Sequence, residues 1–275
     1  MSALWPPHVP PGRRVEVLAE RLAPLVGPSV EPVVRGEWAR FFTRARYAQE
    51  ALTLAVTDPV GTFRLMVPDR PDVALDRLAE VVNQVSRLRS RFPWAAVRLV
   101  SLDDPSALKP DRPHVVGFVA DPQLLEIHAS RGYVLAPAGD AAPEATAEEL
   151  AEVVVHECWH LIEEVFETLS YGDSMRLRME LGGLLGLASF EHAYAGSHAS
   201  RDQKAAALES LREAVGDYAT TLPGEGTAEL FTAWWLGRSH PLVSAFGDLV
   251  DRYLPPDLGR RHRLRGRRAG PSRRP

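Results

Sequence analysis

The stretch VVVHECWHLIEEVFE, Val153 to Glu167, decides how this chain is read. An α-helix has about 3.6 residues per turn, so residues four apart lie on one face, one turn from each other. His156 and His160 have that spacing. Their imidazole nitrogens can therefore converge on one metal ion. Glu157 lies about 100° round the helix from His156, near enough to reach a water beside such an ion without ligating it. Val153 to Val155 precede the pair, and Leu161, Ile162, Val165 and Phe166 follow it. The histidines are thus expected on a buried scaffold, where unpaired imidazoles are costly and ligation relieves the cost. Cys158, about 200° from His156, is expected to face the core as a small apolar residue, and Trp159 to pack.

Outward from this helix the chain changes character. Thr146 and Glu149 form a capping box that opens it, and Ser200 with Gln203 opens a later helix. From Thr146 the pattern is helical almost to the end. The segment LGGLLG reads as close helix packing, because it lies within an apolar helix and does not follow a strand. Before Thr146 the pattern is mixed. TFRLMV and AAVRLVSL read as strands, as do HVVGFVA and either QLLEIHAS or GYVLAP. Leu75, Leu78, Val81, Val82, Val85 and Leu88 mark an amphipathic helix. Two further helical patterns, Gly12 to Val26 and Pro32 to Ala55, form a preface.

The expected fold class is α+β: a helical preface, a small mixed sheet with a backing helix, then a mainly helical part carrying the two histidines. The corresponding boundaries are 1–60, 61–145, 146–257 and an Arg-rich disordered tail, 258–275. A cleft between the sheet part and the helical part is the expected place for a site.

Composition narrows the function classes. Residues 260–275 hold eight arginines and no acid, which leaves 24 basic against 36 acidic residues before them, a balance of −12. An acidic body argues against a nucleic-acid enzyme, and the basic tail reads as a solvated one. One cysteine excludes a disulfide framework or a Cys-rich zinc finger and points to the cytosol. The start of the chain lacks the pattern of a secretory leader, and the longest apolar run is too short to span a membrane. No G-x-S-x-G occurs to support a serine hydrolase.

A catalytic zinc needs a third protein ligand and an open fourth position. LIEEVF, directly after the motif, has neither the glycine nor the histidine of the H-E-x-x-H-x-x-G-x-x-H pattern. A carboxylate from a later helix is the other solution, and PGEGTAELFTAWWLG, Pro223 to Gly237, fits it. Glu225 and Glu229 share one face of that helix. Glu229 precedes the bulky Leu230 and Phe231 and is the expected ligand. Glu225 is the alternative, or a support behind it.

H-E-x-x-H with TAELF about 70 residues later resembles the gluzincin branch of the zincin metallopeptidases, over roughly residues 60 to 255. Position 233, four after Glu229, is Ala where many relatives place an acid that buttresses a ligand histidine. The resemblance implies Zn2+ as cofactor and a peptide or protein as substrate, bound along an edge strand on which His128 could sit. It also implies an oxyanion donor opposite Glu157. Tyr218 and His240 are the candidates, with Tyr171 and Tyr194 competing. A zinc hydrolase of a non-peptide amide and a catalytically silent binding module are the alternatives. Glu157 speaks against the last, since structural zinc needs no general base.

Overall fold

The computed structural model describes residues 9–33, 51–102, 117–121, 125–129 and 147–260. The described chain is α+β and mostly helical. It divides into two compact units, residues 1–91 with 96–161, and residues 92–95 with 162–275. The division falls within the histidine helix and not before it, so the expected boundary at 145 moves into that helix.

In the first unit, helix α1 (Arg14–Leu22) is followed by strand β1 (Ser29–Pro32), β2 (Ala51–Asp58), β3 (Gly61–Pro68), helix α2 (Leu75–Arg91), β4 (Leu99–Ser101), β5 (Gly117–Asp121) and β6 (Glu126–Ala129). The strands form one sheet in the order β1-β2-β3-β4-β6-β5. β1, β2 and β3 are antiparallel, β4 runs parallel to β3 and to β6, and β5 returns antiparallel to β6. The parallel step from β3 to β4 requires a crossover, which α2 supplies. Leu78, Val81, Val82, Val85 and Leu88, the stripe read from the sequence, are all buried.

β1 and β2 correct the helical preface. Ala51 to Ala55 was expected to end a helix and lies instead in the strand Ala51–Asp58, with Leu52, Leu54 and Val56 on one face fully or nearly fully enclosed, and on the other Ala51 and Thr53 buried but Thr57 exposed. Leu52, Leu54 and Val56 alternate with Thr53, Ala55 and Thr57, the period of two that marks a strand, and over so short a run that signal competes with a helical reading. Leu25, read as part of the α1 stripe, is exposed in a 3-10 turn. His128 is also corrected. β6 is flanked by β4 and β5, so His128 lies on an interior strand and not on an edge strand, and it is buried.

The β2–β3 turn is fixed by Asp58, whose Oδ1 accepts from the amides of Val60 (2.8 Å) and Gly61 (3.1 Å). Its Oδ2 accepts from Arg89 Nε on α2 at 2.7 Å, and Arg89 also donates to the carbonyls of Gly61 and Val97. Both charged side chains are almost wholly buried. Such a pair is tolerated only when its remaining donors and acceptors are satisfied, and these hydrogen bonds do that.

Helix α3 (Ala147–Leu169) contributes its residues up to Leu161 to the first unit and its last two turns to the second. The second unit continues with α4 (Tyr171–Leu184), α5 (Arg201–Val215), α6 (Pro223–Trp235) and α7 (Pro241–Tyr253). Ser200 and Gln203 make the expected capping box on α5; Thr146, expected to cap α3, lies outside the described residues. The close packing read from LGGLLG is seen at Gly182, where a Cβ would lie 2.4 Å from the Ser189 backbone. An aromatic group joins the Phe92–Ala95 segment to α3 and α6. Trp94 meets Phe166 at 6.4 Å between ring centroids, and Phe92 meets Phe231 at 6.0 Å and Trp235 at 6.4 Å. Leu258 is buried and Gly259 lies against Trp94, so the packed body reaches into the expected tail. The remainder of the Arg-rich segment, like GYVLAP, falls outside the described residues. No helix among the described residues is long and apolar enough to cross a membrane.

Candidate metal centre

α3 carries His156 and His160 one turn apart, with their Nε2 atoms 3.1 Å from each other and their rings at 75°. Two nitrogens on one tetrahedral zinc, each about 2.0–2.1 Å from it, lie roughly 3.4 Å apart, close to the separation found here, which is also that of a hydrogen bond between the rings. A carboxylate oxygen of Glu225 joins them, and the three ligand atoms lie within 4.8 Å of one another. Among the described residues this is the group of three that could hold a metal.

Glu229, the expected ligand, is not in this group. Leu230 and Phe231 behind it are fully buried as expected, and Glu229 itself is half-buried. Glu225 and Glu229 share a face of α6, and periodicity fixes the face without fixing which turn of it meets the imidazoles. Pro223 at the first helical position starts α6 so that Glu225 falls in its first turn.

The donor chemistry fits zinc. Two imidazoles and one carboxylate are a ligand set of catalytic zinc sites. Cys158 is fully buried, and burial, followed by the charge of Glu157, pushes its thiol pKa up. Cys158 has no place in the group. Glu157 is buried on α3 beside the first histidine, and Trp159 packs in the core.

Of the expected oxyanion donors, Tyr218 is about half exposed in a 3-10 turn, Asp217–Thr220. His240 caps α7, its Nδ1 accepting from the Leu242 amide at 3.2 Å. Tyr171 is exposed. Tyr194 differs from these: its hydroxyl donates to the Ala219 carbonyl at 2.6 Å, and burial, followed by the negative charge of Glu225, raises its pKa. The phenol is therefore close enough to Glu225 to feel its charge.

Three residues with no earlier role support the site. Glu163, one turn after His160 on α3, lies 3.3 Å from the Thr227 hydroxyl through both carboxylate oxygens. Thr227 is two residues after Glu225 and also lies 3.0 Å from the Gly224 carbonyl, so its single proton serves several acceptors. Arg178 on α4 faces Glu163, Glu167 and Glu191 at 3.6, 3.4 and 3.3 Å. The Glu163–Thr227 contact ties α6 to α3 within one turn of a ligand on each helix. The helical offset of Glu163 from His156 and His160, seven and three residues, placed it on their face; nothing local pointed to Thr227 or Arg178.

Compared with family models, with curated proteins and with solved structures, the chain matches none of them.

Proposed function

We propose that the chain is a zinc-dependent metallopeptidase of gluzincin-like design, with His156, His160 and Glu225 as ligands and Glu157 as general base. The observation that carries this reading is the approach of the two imidazoles and the Glu225 carboxylate to within 4.8 Å. Bound zinc supplies Lewis acidity toward a carbonyl and a lowered pKa for water. Glu157 takes up the water's proton and returns it to the leaving amine. Its burial supports that role, since a general base works best shielded from bulk solvent and held in place. Taking Glu225 as ligand also answers the departure at Ala233: the position four after the ligand becomes Glu229, an acid on the same helix face. Glu229 then serves to orient a ligand histidine, a role that outer partners fill at many metal sites.

The test is metal analysis of purified protein followed by a peptide-library cleavage assay with and without 1,10-phenanthroline. The expected outcome is about one zinc per chain, cleavage that stops with the chelator, and recovery when zinc is returned. Zinc-loaded protein that cuts no peptide, or cleavage indifferent to the chelator, contradicts the reading.

A further inference from the structure

We infer that Tyr194 is a positioning residue that fixes the first turn of α6 and thereby sets Glu225 toward the imidazoles; the inference rests on the metal-site reading above. α6 begins with Pro223 and without a side-chain cap. Its N-cap, Leu222, offers no side-chain acceptor, so the first turn lacks the hydrogen bond that a Ser, Thr, Asp or Asn would provide.

Tyr194 supplies a restraint from elsewhere in the chain. Its ring stands edge-on to Phe190, with centroids 5.5 Å apart, and its hydroxyl donates to Ala219, a fully buried residue of the turn before α6. The same hydroxyl lies against α6. A Cβ built at Gly226 would meet Tyr194 Oη at 2.2 Å, Phe190 Cζ at 2.9 Å and the Ala219 carbonyl oxygen at 3.0 Å. The phenol therefore touches the chain on both sides of Glu225, at Ala219 before it and at Gly226 after it. Only glycine permits the helix to come this close. Glu225 is bonded directly to Gly226, so any side chain at 226 that pushes the turn off Tyr194 moves the backbone that carries the carboxylate.

The experiment compares wild type, Tyr194→Phe, Gly226→Ala and the double variant in three measurements. These are zinc affinity by competition with a chromogenic chelator, the visible absorption spectrum of the cobalt-substituted protein, and the melting temperature of the metal-free protein. Tyr194→Phe keeps the ring contact and removes the bond to Ala219. Zinc affinity is expected to fall about 10- to 100-fold, the range for lost outer partners, with a changed cobalt spectrum and a metal-free melting temperature lowered by the loss of one buried hydrogen bond. Gly226→Ala should lose more. The double variant should regain part of that loss, because the 2.2 Å contact has gone and the two substitutions share one site.

Tyr194→Phe that binds zinc as wild type does overturns the inference, as does a loss of affinity with an unchanged cobalt spectrum. If Gly226→Ala fails to fold, Tyr194→Phe still decides. Wild type that binds no zinc overturns the metal reading itself and the inference with it, which separates the two failures.

Discussion

Glu157→Gln retains about one zinc per chain and loses turnover by about 10²- to 10⁴-fold, the span that positioned proton transfer contributes. The substitution keeps size and hydrogen-bonding shape in a buried position, so folding and metal binding should survive. What it removes is the ability to accept a proton. KM should change little, because the lost interaction belongs to the transition state. A variant with wild-type kcat would place the base elsewhere in the molecule. A variant that lost its zinc would make Glu157 part of the metal's support.

Glu225→Ala and Glu229→Ala separate a ligand from its neighbour one turn away. With Glu225 as ligand, its removal leaves two imidazoles to hold the ion, and zinc affinity should fall by more than the roughly 100-fold that marks the loss of an outer partner. Glu229→Ala should fall within that 10- to 100-fold range. A reversed order restores Glu229 as the ligand. Chelator competition on both variants reads the difference, and it does not require a substrate to be known.

The parts of this fold that were legible in sequence are those whose pattern is local. α2 showed a stripe at helical spacing because one face is buried and the other is wet. β3, β4 and the α5 capping box were likewise visible, the last because Ser200 and Gln203 sit three apart. β2 was missed although Leu52, Leu54 and Val56 alternate with Thr53, Ala55 and Thr57: the run is short, and periodicity over so few residues does not by itself separate strand from helix.

The site divides in the same way. His156, Glu157 and His160 lie within one turn of one helix and could be read together. Glu225 and Glu229 could be assigned to one face and no further, because two residues one turn apart on a helix share that face equally. Tyr194 joins a carbonyl 25 residues away and a glycine further still. Neither contact leaves a mark in local sequence. Packing determines such contacts, so they become visible only in three dimensions.

Zinc K-edge X-ray absorption of the zinc-loaded wild-type protein tests the central claim most directly. The account predicts a first shell of nitrogen and oxygen only, at about 2.0–2.2 Å, with imidazole scattering from two histidines. A sulfur scatterer near 2.3 Å, which would bring in Cys158, or a shell with fewer than two imidazoles, would contradict it.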